Sequence, residues 1–133
     1  MKILHELPPN YHEIIAALPG VEHMPDAIFS YYPDIYYPGG GELPEYKVAH
    51  EMVHLNQQVR VGVKKWWTAF LNSSGFRLEQ ELEAYRADYK MFCRMYKDGN
   101  ERARYLQSLV NDLSGPQYGS IVLGDDVRSM LLA

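Results

Sequence analysis

His50 and His54 stand four residues apart in the run HEMVH, with Glu51 directly after the first. On a helix this spacing puts both imidazoles on one face, one turn apart, with β-carbons about 5–6 Å from each other. Both rings can then reach one tetrahedral ion, and zinc takes imidazole nitrogen in that geometry. Glu51 points off the axis joining the histidines and stays beside the ion, where it can take a proton from an activated water. The competing reading is an ordinary amphipathic helix, with both histidines exposed and Met52, Val53 and Leu55 in the core. Two imidazoles do not complete a site, so a third protein ligand decides between these readings.

The run FRLEQELEAYRADYKMFCRMYKDGN, residues 76 to 100, reads as a long helix and offers that ligand. With Glu81 set to zero and each residue advancing about 100°, Leu78, Leu82, Tyr85, Tyr89, Phe92 and Tyr96 fall between roughly 20° and 100°. Glu79, Glu83, Arg86, Lys90 and Arg94 fall between roughly 140° and 220°, which makes theirs the solvated face. Glu81 therefore stands at the edge of the apolar face, and Ala84 beside it leaves room for a second helix. A carboxylate turned inward needs a cation or a partner. Glu81 is accordingly the candidate third ligand, with Glu83 as the fallback. Asp88 lies about 20° from Glu81 on the same face. It is expected either to orient a ligand histidine through its other ring nitrogen or to pair with Arg77 or another helix.

Other elements must hold these helices in place. NYHEIIAAL, residues 10 to 18, has a cap-like Asn10 and a stop at Pro19-Gly20, which predicts a short helix. Residues 27 to 38, rich in Ile, Phe and Tyr and interrupted at Pro33-Asp34, predict a small β-hairpin. Gly39, Gly40 and Gly41 lack the lysine and hydroxyl residue of a phosphate loop and read as a flexible connection. Pro44 can occupy the first turn of the HEMVH helix, which runs to about Val61 and ends near Gly62. Lys64 to Leu71 is aromatic, and Trp66, Trp67 and Phe70 suit a core or a partner-binding patch. A turn at 72–75 leads into the long helix, expected to stop at Gly99 or Asn100. A helix from about Glu101 to Leu113, a Ser-Gly-Pro-Gln-Tyr-Gly turn and a last helix from Asp125 to near Leu132 complete the chain. Tyr118 in that turn could bring a phenol to an oxyanion, although packing is the stronger expectation. His5, His12 and His23 have no paired spacing with the motif and read as surface residues.

The predicted class is α+β, mostly α, in a single domain spanning residues 1–133. A net charge of −4 with no dense basic block argues against a nucleic-acid partner. The lone Cys93 excludes an internal disulfide and suits the cytosol. No run approaches a membrane span, and the first ten residues lack a signal-peptide core.

HExxH followed on a later helix by glutamate in an E-x-x-A pattern resembles the gluzincin class of zinc metallopeptidases. VAHEMVHLNQQ with FRLEQELEAYRADY is similar to small uncharacterised phage and bacterial metallopeptidase-like proteins, over about residues 26 to 96 and more loosely at LSGPQYG. The resemblance implies a minimal zincin-like fold with a hairpin ahead of the motif helix. It also implies one Zn2+ held by His50, His54 and Glu81, and Glu51 as general base acting on a peptide or protein substrate. An edge strand ahead of the motif helix would align extended substrate, and the hairpin is the candidate. Tyr85 stands where several gluzincins have aspartate, so Asp88 is expected to substitute. The location implied is the cytoplasm, or the host cytoplasm if the chain is phage-encoded. The alternative is a non-catalytic, zinc-containing phage-type binding or assembly protein. Such a protein would recruit a protein partner through its aromatic surface, and a fourth protein ligand, such as one of the spare histidines, would close its zinc site.

Overall fold

A computed structural model describes residues 1–115, 118 and 124–133. The architecture is α+β and mostly α: six helices and a three-stranded sheet among the described residues. The hairpin forms as expected, from β2 (Phe29–Tyr31) and β3 (Asp34–Tyr36), antiparallel, with Ser30 opposite Ile35. The sequence reading missed β1 (Ile3–Leu4), which runs parallel to β3 on its far side and makes the strand order β1-β3-β2. The Ile35 and Tyr37 amides donate to Lys2 and Leu4 carbonyls at 2.9 and 2.7 Å, so β3 has no free edge. Two residues are too few to carry an alternating pattern, and only these long-range bonds define the strand.

Helix α1 (Tyr11–Ala17) follows Asn10 and is succeeded by a 3₁₀ turn at Val21–His23. Helix α2 (Glu45–Val61) carries HEMVH in its middle, as expected. Pro44 precedes its first turn in extended conformation rather than lying within it. At Gly62 φ is +101°, a backbone state L side chains rarely adopt, and its amide closes α2 on the Gln58 carbonyl at 2.7 Å. The chain re-enters helix at once as α3 (Val63–Asn72).

Two boundaries differ from expectation, each because a side chain caps a helix. The Ser73 hydroxyl accepts from the Phe76 amide at 3.1 Å, so α4 (Ser74–Met95) starts inside the expected turn. Asp98 accepts from the Asn100 amide, so Gly99 and Asn100 open α5 (Gly99–Leu113) instead of ending α4. Helix α6 (Gly124–Leu132) closes the chain. Of the 114–119 turn, Pro116, Gln117 and Gly119 lie outside the described residues.

The core divides around the α2–α4 seam. On one side Ile14, Phe29, Tyr36, Trp66, Trp67 and Phe70 form an aromatic cluster, with Trp66 stacked on Phe70 at 4.7 Å. These indoles are core. On the other side Leu78 of α4 packs with residues of α5 and α6 and with Tyr118. The buried residues of α4 are Leu78, Glu81, Ala84, Asp88 and Phe92. Glu81 therefore stands within the buried stripe rather than at its edge, and Tyr85 and Tyr89 flank that stripe half-buried. Ala84, with 0% of its surface exposed, keeps that face flat between the two carboxylates. No helix among the described residues is long and apolar enough to cross a membrane.

Candidate metal centre

The buried residues of α2 are His50, Glu51, His54, Leu55, Gln57 and Gln58, five of them polar. Met52, by contrast, is exposed and Val53 half-buried. This reverses the amphipathic reading: the helix turns its polar residues inward. Buried polar groups require partners, and each of these has one.

The two ring nitrogens of each histidine do different things. His50 Nδ1 donates to Asp88 Oδ2 at 3.2 Å, while its Nε2 lies 3.1 Å from Glu81 Oε1. His54 Nδ1 lies 2.9 Å from Gln57 Oε1, and its Nε2 is 2.5 Å from the same Glu81 oxygen. The Gln57 amide is oriented by its nitrogen, which donates to the Gln80 carbonyl at 3.1 Å and to Glu83 Oε1 at 2.7 Å. Its oxygen therefore faces His54 and must accept from Nδ1. With both Nδ1–H groups committed outward, both Nε2 atoms face one carboxylate oxygen.

Electrostatics follow from that convergence. Burial works to lower the His50 pKa, yet the Glu81 carboxylate and the bond to Asp88 hold it at about 10. Burial likewise opposes charge on His54, and Glu81 again raises it. Burial would raise the Glu81 pKa, but His54 and His50 drive it well below the ordinary carboxylate range. In the ion-free chain, protons bridge these groups where a cation would otherwise balance the carboxylate.

Glu51 occupies a separate position. Ser30 Oγ donates to its Oε1 at 2.8 Å and to its backbone carbonyl at 3.1 Å. Its Oε2 stays 3.7 Å from His50 Nε2. Donor atoms of His50, Glu51 and His54 all lie within 4.8 Å of one another, so by mutual distance Glu51 also qualifies as a ligand. Glu81 is the stronger candidate for the third ligand, because one of its oxygens reaches both rings, whereas Glu51 approaches His50 only to 3.7 Å through Oε2 while Ser30 holds its Oε1. Four bonds of about 2.0–2.1 Å to a tetrahedral zinc place neighbouring donors about 3.3 Å apart. The His50–Glu81 separation of 3.1 Å nearly matches, and the His54–Glu81 separation of 2.5 Å needs less than about 1 Å more. The donor set of two imidazoles and a carboxylate fits zinc.

Other expected residues fall into place or out of it. Asp88 orients His50 and pairs with Lys47 at 3.2 Å and the Tyr105 hydroxyl at 2.6 Å, not with Arg77, whose guanidinium donates to the Phe70 carbonyl. Glu83, the fallback ligand, is exposed and binds Arg60 and Gln57 instead. Tyr118 donates to Glu81 Oε2 at 3.1 Å, so its phenol holds the candidate ligand's carboxylate as well as packing. The Tyr85 ring stands 4.4 Å from the His50 ring, and burial pushes its hydroxyl pKa well up. His5, His12 and His23 are exposed. Ser30, Gln57, Lys47 and Tyr105 were missed. Gln57 had a signal, three residues after His54 on the same helix face; Ser30 had none.

No family model, curated protein or solved structure matches the chain.

Proposed function

We propose that this chain is a zinc-dependent peptidase of the gluzincin kind, with His50, His54 and Glu81 holding the ion and Glu51 as general base. The observation that carries the reading is the single Glu81 oxygen facing both Nε2 atoms while Glu51 is held apart by Ser30. A zinc ion there would supply Lewis acidity, polarising a carbonyl oxygen and acidifying water. Glu51 takes the proton of the attacking water and returns it to the departing amine. Asp88 and Gln57 keep both Nε2 lone pairs aimed inward, and Tyr118 fixes the second Glu81 oxygen.

Substrate enters the cleft of about 570 Å3 that His50, Glu51 and His54 line together with Ile28 and Phe29. In the hairpin, β2 is the outer strand, but its Ser30 carbonyl already accepts from Gln58 Nε2 at 2.9 Å and Trp67 Nε1 at 3.1 Å. Backbone pairing with a peptide therefore falls to the stretch before Phe29. The lone cysteine suits a reducing cytosol.

The test is Glu51→Gln. One zinc per chain should be retained by elemental analysis, while hydrolysis of a peptide library falls about 100- to 10,000-fold. Unchanged turnover removes Glu51 from the mechanism. A wild-type chain that holds zinc and cleaves nothing is the non-catalytic metal protein instead.

A further inference from the structure

We propose that the groove between α1 and α3 is a second binding site, which takes an extended segment of peptide main chain and reads it through the side-chain amide of Asn10. The groove is separate from the metal cleft: Ala17 and Trp67 line both, and no candidate metal ligand lines the groove. Binding there needs neither zinc nor turnover. Asn10 is cap-like by type, but its φ of −104° and ψ of 26° lie outside the extended range of a capping residue, and its side chain bonds to no helix amide. Its backbone carbonyl alone accepts from the Ile14 amide, at 3.1 Å. The carboxamide is left over. Asn10 is 8% exposed, and neither its amide nitrogen nor its amide oxygen has a hydrogen-bond partner. Among the described residues these are the only buried side-chain polar atoms left unpaired. Such groups are costly to a fold, and a partner from outside removes the cost.

The rest of the groove says what that partner is. A carboxamide offers a donor and an acceptor side by side. An extended residue presents its own N–H and C=O on one side, which is the complementary pair. Pro9, Ala16, Ala17, Tyr31 and Leu71 supply apolar surface for its side chains. Trp67 commits its indole N–H to the Ser30 carbonyl, and Asn72 its amide nitrogen to the Thr68 carbonyl at 2.7 Å. Glu13, Lys64 and Thr68 are exposed, and the first two set one negative charge against one positive. That balance gives no selection for an anion such as a phosphate and suits an uncharged main chain. At about 690 Å3 the groove is within the range of roughly 300–1,000 Å3 typical of ligand sites. A bridging water is the plain alternative occupant.

The experiment follows the side-chain amide signals of Asn10 by NMR in the isotope-labelled full chain. Glu51→Gln prevents any probe from being cut, and each titration is run with zinc and again after chelation. The probes are acetyl-leucine N-methylamide, which carries one paired N–H and C=O, its analogue methylated on the leucine nitrogen, and adenosine, whose base edge also pairs with an Asn amide. The first should bind saturably, with a nuclear Overhauser contact to the Asn10 amide protons and the same affinity with and without zinc. The methylated analogue should bind about tenfold more weakly or worse. Asn10→Leu, close in shape but without either polar atom, should cost about tenfold or more in probe affinity while its urea midpoint falls no lower than that of the parent chain. A lower midpoint would mean that the amide is already satisfied inside the fold, and overturns the proposal. So does equal affinity for the methylated probe, tighter binding of adenosine, or an Asn10 amide in Overhauser contact with water alone at saturating probe.

Discussion

Asp88→Asn tests the centre through a residue that no substrate reaches. Asp88 is 0% exposed and accepts three donors: His50 Nδ1 at 3.2 Å, Lys47 Nζ at 3.2 Å and the Tyr105 hydroxyl at 2.6 Å. Asparagine has a single acceptor oxygen, and its amide nitrogen is itself a donor. Turned toward His50, that nitrogen favours the tautomer with its proton on Nε2, where the ion must bond. Removing such an orienting partner costs about 10- to 100-fold in metal affinity, or about 1.4–2.7 kcal/mol. Lys47 is partly exposed and can turn to water, but a buried donor left unpaired destabilises the ion-free fold by about 1–3 kcal/mol. Competition against a chromogenic chelator measures the first quantity and urea unfolding of the chelator-treated chain the second. Zinc affinity within twofold of wild type would refute the assignment of Asp88 as the residue that aims His50.

Three further outcomes are expected. Ser30→Ala should hold zinc within about twofold but lose peptide hydrolysis by about tenfold or more, because a hydrogen bond to a charged group contributes about 1.5–3 kcal/mol; parallel zinc and turnover assays read this. Ala84→Leu should cost about 1–3 kcal/mol in urea unfolding and weaken zinc binding as well, since the added bulk pushes into a fully buried position between Glu81 and Asp88. In the chelator-treated chain the folded pKa of His50, about 10, exceeds its unfolded value of 6.5. Its contribution is thus complete below about pH 6.5 and lost as pH rises toward 10. Glu81, held low, acts in the opposite sense: its contribution is present above its ordinary value of 4.5 and lost as pH falls. Urea midpoints between pH 5 and 9.5 should therefore decline on the alkaline side, and saturating zinc should flatten that decline.

What the sequence disclosed depended on periodicity. HEMVH and Glu81 were legible because helical spacing is fixed, so two residues four apart and one inward acid predict a shared site without knowledge of the fold. The same wheel set Glu81 at the edge of the apolar face, because it counted tyrosines as interior; the α2 interface instead covers Ala84 and its two acidic neighbours. Ser30 was invisible, since its bond to Glu51 joins a strand to a helix across 21 residues. Asp98 is a cap residue by type, but a glycine next to it fits a helix stop equally well, and only the bond to the Asn100 amide decides between the two. Tyr118 showed no spacing relation to Glu81, and its bond arises only when the chain returns past α5.

Gln57 binds His54 with one end of its amide and the opposite helix, at Gln80 and Glu83, with the other. The spacing of α2 from α4 and the direction of one imidazole are thereby governed by the same planar group. Any drift of the two helices would rotate the ring, so the aim of His54 in the proposed centre is inherited from how the backbone assembles. A neutral carboxamide performs this coupling without introducing another charge into the interior.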